Sequence, residues 1–489
     1  MKFFNTFAAM TLAFMATNDM KDIPSTELVK DLKIGWSLGN TMDANCVETL
    51  DYSKDQTASE TCWGNVKTTP ELYKKLNEIG FNLFRIPTTW TGHFGDAPDY
   101  KIDDAWMKRV HEIVDYALDT GSYAILNIHH EEWNHAFSKN LETAKPILVA
   151  IWNQIATEFA SYDEHLIFEG MNEPRKVGDP VEWTGGDKEG WDFVNELNDL
   201  FVKTIRASGG NNALRHLMIP TYAATINGGA AENFIYPQGD DKLIVSVHSY
   251  SPYNFALNTG DGAISTFDDP SEIDYVMNTL KSTFISKNIP VILGEFGAMN
   301  RDNEDDRAKW AEYYTKSAKA IGVPCVLWDN GLFEGEGELF GIIDRSTLRI
   351  AYPKLVNGFM KGLGISSSIP EEPVSSDLPA ETVVPGNNSE PTMNEPMTPE
   401  QPVTLPTKSL PDASSEQPTT NDNNGNQNVN GTSSSATSNS DYFSCEKNDW
   451  ACKSEKSDLC YKEASACWSS GNNAEECNRR SVECSKIWI

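Results

Sequence analysis

The chain is predicted to fold as a (β/α)8 barrel over residues 17–365, because three features coincide there. Between residues 31 and 364 apolar strand-like runs alternate with helical patterns, the runs number eight, and run after run ends in a group suited to chemistry. A parallel barrel gathers all its strand C-termini around one mouth, so polar ends in chain order favour it over a doubly wound open sheet, the weaker alternative.

The elements follow in order. Strand-like runs over residues 33–41, 82–90, 123–130 and 166–173 are each followed by a longer stretch with helical spacing, over 70–80, 103–120, 144–161 and 191–208. Runs over 216–222 and 243–250 come next, and the connection between them, through Gly228 and Gly229, has the weakest helical pattern of all. A helix over 271–287, a run over 290–297, a helix over 305–321, a run over 324–330 and a helix over 352–363 complete the count. The groups at the run ends are Asn40, Arg85, His129 and His130, Asn172 and Glu173, Tyr222, His248 to Tyr250, Glu295 and Trp328.

The flanks have a different character. Residues 1–16 begin with Lys2 and run apolar from Phe3 to Ala16, which predicts a secretory signal and an extracellular protein. Residues 366–440 hold eleven Pro, ten Asp or Glu and one Lys among many Ser, Thr and Asn, a composition that cannot bury a core and predicts a linker. Asn387 and Asn430 are acceptor sequons within it. Residues 441–489 carry six of the nine cysteines, with six, seven, six, nine and six residues between successive ones and no C-x-x-C pair, so a disulfide framework is expected there in preference to zinc. Of the others, Cys46 and Cys62 are placed to close a loop after the first strand, worth roughly 3 kcal/mol, and Cys325 reads as a buried thiol. A net charge of −31 argues against a nucleic-acid partner, and no later stretch approaches 18 uninterrupted apolar residues, so no membrane span is expected.

Two stretches carry the chemistry. Leu166 to Pro174 and Val291 to Gly297 are apolar runs that each deliver a glutamate toward a turn, Glu173 and Glu295. Two carboxylates facing one cleft are what hydrolysis of a glycosidic bond needs. Glu173 is expected to act as general acid/base, with a carboxyl its surroundings raise, and Glu295 as an ionised nucleophile. The two carboxyls should then lie about 5–5.5 Å apart and the reaction should retain anomeric configuration. No cofactor and no metal is expected.

Two other motifs are set aside. Gly35 to Gly39 matches a G-x-S-x-G elbow around Ser37, but it falls on the first strand and nothing else suggests an ester site. His130 and His135 resemble a zinc-protease pair but are five residues apart instead of four, off one helical face.

Seven stretches run in order over about two-thirds of the chain: Ile34 to Asp43, Phe84 to Trp90, Leu126 to Glu131, Asn172-Glu173-Pro174, His248 to Tyr250, Gly294 to Ala298 and Leu327-Trp328. Through these motifs, in family order, the barrel segment resembles glycoside hydrolase family 5, most of all its subfamily 4 endoglucanases. The resemblance implies a retaining endo-β-1,4-glucanase acting on cellulose, mixed-linkage glucan or xyloglucan. It also implies that Arg85 and Tyr250 hold Glu295, that Asn172 binds the sugar 2-hydroxyl, that His129, His130 and His248 shape the cleaved-bond subsite and that Trp328 is its floor. Asn40 and Trp36 are expected to bind substrate as well, with Trp63, Trp90, Trp133 and Trp183 either lining sugar subsites or packing loops. A mannanase, a xylanase or a non-catalytic glucan-binding protein on the same scaffold is the alternative. The tail resembles the docking modules of anaerobic fungal cellulases in size and cysteine content, but it lacks their adjacent-cysteine and Gly-Tyr pattern. Its expected partner is a scaffold protein or cellulose, and the catalytic part is expected to be monomeric.

Overall fold

The computed structural model describes residues 20–335, 337–366 and 369–370, together with Lys456 and Cys460. The signal-like segment 1–16 lies outside the described residues. So do the linker and the six-cysteine segment, apart from Ser366, Ile369, Pro370, Lys456 and Cys460.

Eight strands, β1 (Ile34–Leu38), β2 (Leu83–Ile86), β3 (Tyr123–Asn127), β4 (Leu166–Glu169), β5 (Leu217–Pro220), β6 (Leu243–His248), β7 (Val291–Phe296) and β8 (Cys325–Asp329), pair in parallel in chain order. The ring closes where β8 pairs with β1, from Ile34 opposite Cys325 to Leu38 opposite Asp329. The predicted (β/α)8 barrel is therefore the observed fold. After a short α1 (Ser25–Leu28), the barrel helices are α2 (Pro70–Ile79), α3 (Asp104–Leu118), α4 (Leu141–Glu158) and α5 (Lys188–Ala207). Then come a single turn, α6 (Tyr253–Ala256), and α7 (Ser271–Thr283), α8 (Glu304–Ala320) and α9 (Pro353–Leu363). Local chemistry sets their ends: Pro70 begins α2, and the Asp103 carboxylate caps α3 by accepting from the Ala105 and Trp106 amides.

The weak helical pattern between the fifth and sixth strands corresponds to no α-helix. The chain makes one 3-10 turn at Tyr222–Ala224 and then runs as loop to β6. Gly228 explains part of this, since its φ is +57° and a Cβ there would fall 1.7 Å from the Thr184 carbonyl oxygen. Backbone-to-backbone contact takes the place of a helix.

Strand parity divides the barrel into faces. Phe84, Leu126, Phe168, Val245 and Leu327 face the helices, whereas Leu83, Ile125, Ile167, Met218, Ile244, Ile292 and Val326 form an inner layer with Leu28, Val29 and Leu32 from α1 and the turn after it. Two residues further along four of these strands the inner layer turns polar, with Arg85, Asn127, Glu169 and Ser246, and Ser37 of β1 pairs beside Arg85; all five are fully buried. The apolar floor and α1 close one end of the barrel, and the polar layer supports the other.

The Cys46–Cys62 disulfide closes the loop after β1, and Cys325 is a buried free thiol whose pKa burial raises. Among the described residues no helix is long and apolar enough to cross a membrane.

At the floor, Ser25 Oγ lies 2.7 Å from His216 Nδ1, and burial together with the charges of Lys242 and Arg206 pushes the imidazole down to about 4. Below the ordinary histidine pKa the unfolded chain binds a proton that the folded chain refuses. Stability contributed here is therefore complete at neutral pH and is lost as pH falls from about 6.5 toward 4, by roughly 1.4 kcal/mol per pH unit. His216→Gln should narrow the gap between unfolding midpoints measured at pH 7 and pH 4.5. An unchanged gap would show that His216 titrates freely in the folded protein.

Candidate active site

Arg85 is the inward residue at the mouth end of β2, and its guanidinium meets three acceptors. Nε donates to Glu169 Oε2 at 2.7 Å, Nη1 to Glu295 Oε1 at 2.7 Å and Nη2 to Asn172 Oδ1 at 2.6 Å. Burial opposes its charge, but Glu169 and Glu295 outweigh that cost and raise its pKa. Glu169 is itself fixed, because Oε1 accepts from Ser246 Oγ at 2.6 Å and Oε2 from Asn127 Nδ2 at 3.0 Å. A fork of donors suits such a set of acceptors, where an ammonium would not.

Glu295 reaches the mouth because β7 slips by one residue. Leu293 and Phe296 both face the helices although they are three apart, and the pairing register shifts between them. Such a bulge re-aims the residue it contains. Inward-facing Gly294 leaves room beside it, since a Cβ there would sit 3.0 Å from both His248 Nε2 and Ser246 Oγ. Glu295 Oε2 accepts from the Tyr250 hydroxyl at 2.8 Å, and burial followed by the Glu295 charge holds that hydroxyl well above its usual pKa, so it remains a donor.

Glu173 stands on the loop after β4, where the sequence placed it at the strand end; the last residue of the strand is Glu169. His248 Nδ1 donates to Glu173 Oε1 at 2.7 Å, and one oxygen of Glu173, one oxygen of Glu295 and a His248 nitrogen all lie within 4.8 Å of one another. The electrostatics differ from the expectation of a raised carboxyl. Burial pushes Glu173 up, but the His248 hydrogen bond and charge pull it further down, to a net position below the ordinary value. His248 is raised in turn: burial opposes its charge, and the Glu295 and Glu173 carboxylates override it. The contact between the two therefore favours the ionised carboxylate of Glu173 and the protonated imidazole of His248.

The remaining expected residues divide into two groups. His129 lies parallel to Trp328, with ring centroids 5.8 Å apart, and perpendicular to His130 at 4.4 Å. Burial first, then the charges of His130 and Arg85, keep His129 neutral. Asn127 Oδ1 accepts from the Thr88 amide, so its Nδ2 donates to His129 Nδ1 at 3.1 Å and leaves Nε2 as the ring's donor. Trp328 packs with Met299 and Phe340 beside Tyr250. Asn40, with φ +54°, begins the turn whose amides bind Asp43, and its carbonyl accepts from Asn65.

Trp36 is a correction. It shares parity with Ile34 and Leu38, faces the helices, is 0% exposed, packs edge-on against Tyr73 and donates to Asp329 Oδ2 at 2.9 Å. No sugar can reach it. Trp90 is equally enclosed, Trp133 donates to Glu131, and Trp183 is open to solvent. Ser37 is buried with no hydrogen-bond partner for its hydroxyl, which gives an elbow serine no base.

The sequence reading missed Glu169, Asn127 and Ser246. Their signal was available, as polar residues at inward parity within apolar strands. Glu169→Ala leaves Arg85 short of one buried charge partner and should cost about 3–5 kcal/mol in denaturant unfolding, with a matching loss of activity. Ser246→Ala removes a single hydrogen bond and should cost about 1 kcal/mol. Equal costs for the two would mean that the charge on Glu169 is not what Arg85 requires.

Comparison with known proteins identifies the family. Residues 42–334 match the family model for cellulase (glycosyl hydrolase family 5). The chain is 76% identical over 366 residues to Endoglucanase B of Neocallimastix patriciarum, covering 75% of this chain and 77% of that one. It is 45% identical over 343 residues to Endoglucanase A of Ruminococcus albus, covering 69% and 92% respectively. A GH5-4 broad specificity endoglucanase from Ruminococcus champanellensis, solved with bound cellotriose, superposes with a TM-score of 0.68 at 46% identity, over 70% of this chain and all of that one. With the matched segment running from the turn after β1 past β8, the chain belongs to glycoside hydrolase family 5 and is a glycoside hydrolase.

Proposed function

We propose that this protein is a retaining endo-β-1,4-glucanase of the subfamily 4 kind that cleaves internal bonds of β-glucans such as cellulose, mixed-linkage glucan or xyloglucan. Glu295 is the nucleophile and Glu173 the acid/base. The observation that carries the reading is the approach of the two carboxylates to within 4.8 Å, oxygen to oxygen. A retaining centre needs about 5–5.5 Å between carboxyls and an inverting one about 6.5–9.5 Å, to admit a water.

In the first step Glu295 attacks the anomeric carbon while Glu173 protonates the departing oxygen, giving a glycosyl ester. In the second, Glu173 deprotonates a water that releases the sugar. Asn172 supports this assignment, because Arg85 takes its Oδ1 and leaves the Nδ2 hydrogens for a sugar hydroxyl. Trp328 and neutral His129 supply a flat apolar wall and a donor beside the pair. Glu173 must hold the proton when the bond breaks. A glucan filling the cleft excludes water from Glu173, which favours the neutral carboxyl and draws the proton from His248.

The bound cellotriose and the broad specificity named for the Ruminococcus champanellensis enzyme support a cleft for β-1,4-linked glucose units. Within the same reading, residues 1–16 direct secretion, 17–365 form the catalytic barrel, 366–440 a linker, and 441–489 a module that docks a protein or binds carbohydrate.

Products from cellulose, mixed-linkage glucan, xyloglucan, xylan and mannan test the proposal directly. The wild type should release oligosaccharides from the glucans in preference to xylan and mannan, and Glu295→Ala should lose more than about 1,000-fold in kcat. Wild-type rates in that variant would overturn the mechanism, and a preference for mannan or xylan would overturn the substrate class.

A further inference from the structure

Arg175 has no role in the account above, yet it is bound on several sides. Nε donates to Glu182 Oε1 at 2.9 Å, and Nη1 donates to the Glu173 backbone oxygen at 3.1 Å. The same Nη1 lies 3.8 Å from Glu173 Oε2, and the guanidinium carbon sits 4.2 Å from the centre of the Trp183 ring. Glu182 accepts the Gly178 amide on its other oxygen at 2.7 Å, so one carboxylate pins the returning loop to Arg175. Trp183 is 59% exposed, the most open tryptophan among the described residues, although a cation clamps it. A fixed, solvent-facing indole beside a sugar-cleaving centre is shaped to stack a pyranose ring.

We infer that Arg175 is a positioning residue that ties a sugar-stacking indole, Trp183, to the carboxyl of Glu173 on the side where the leaving sugar departs. The inference rests on Glu173 being the acid/base. A general acid must touch the glycosidic oxygen, so an aromatic platform on the loop that continues from Glu173 serves the departing sugar. The guanidinium fork sets the height of that platform relative to the carboxyl. Its charge at Oε2, opposite His248 at Oε1, also makes Glu173 a readier proton donor. The other groups that bear on Glu173 are Arg85 from β2, Glu295 from β7, Tyr250 from the loop after β6 and Glu338 from the loop after β8.

The test uses the full chain with Arg175→Met, Arg175→Lys, Trp183→Ala and Glu173→Ala, assayed on cellotetraose and on 2,4-dinitrophenyl cellobioside, whose leaving group needs no proton. Arg175→Met should lose about 10–100-fold in kcat/KM on cellotetraose. It should stay near wild type on the aryl glycoside when cleavage is followed in the pre-steady state. Its alkaline limb on cellotetraose should move up by about one pH unit, because a cation that favoured ionised Glu173 is gone. Trp183→Ala should lose cellotetraose activity without moving that limb, and Arg175→Lys should keep the limb but share the loss, which also covers a methionine variant that fails to fold. An unmoved limb in Arg175→Met, with equal losses on both substrates, would reduce Arg175 to a structural part and overturn the inference. Wild-type cellotetraose activity in Glu173→Ala would instead overturn the underlying acid/base assignment.

Discussion

One guanidinium organises the mouth of this barrel. Arg85 is fully buried and touches Glu169 on β4, Glu295 on β7 and Asn172 on the loop after β4. A buried cation is tolerable only when its donors are answered, and here two carboxylates and an amide answer three of them. The requirement works in both directions. Glu169 and Glu295 are held apart and oriented by the same side chain, and Asn172 is turned so that its amino group is free.

Backbone geometry satisfies that requirement with small irregularities. Regular alternation through β7 would send Glu295 toward the helices with Leu293, and the one-residue slip before Phe296 brings it to the mouth. Gly294 keeps the space into which His248 leans. The two apposed carboxylates therefore depend on a bulge, an absent Cβ and a guanidinium that converge from different strands, on a floor that α1 seals with apolar residues.

The barrel was legible because its signal is repeated. Eight apolar runs separated by helical spacing point to one topology, and only the stretch after β5, where Gly228 forces a backbone contact, has no helix. The mouth residues at run ends were legible for the same reason. Parity within a run was available but went unused: it puts Trp36 with Ile34 and Leu38 against the helices, and Glu169 with Ile167 inside the barrel. What sequence spacing could not supply is the charge balance at Glu173. Its position depends on a 2.7 Å contact with His248, which lies 75 residues away along the chain. Burial alone predicts a raised carboxyl, and a neighbouring imidazolium reverses the sign.

Each glutamate is thus defined by its neighbours. Glu295 has donors at both oxygens, from Arg85 and Tyr250, whereas Glu173 shares a proton with an imidazole. The central claim is that this difference makes Glu295 the nucleophile. It is tested most directly by inactivating the enzyme with 2,4-dinitrophenyl 2-deoxy-2-fluoro-cellobioside and mapping the adduct by peptide mass spectrometry. The account predicts one fluorocellobiosyl group per chain, attached to Glu295. Attachment at Glu173, or turnover that yields inverted product with no adduct, would contradict it.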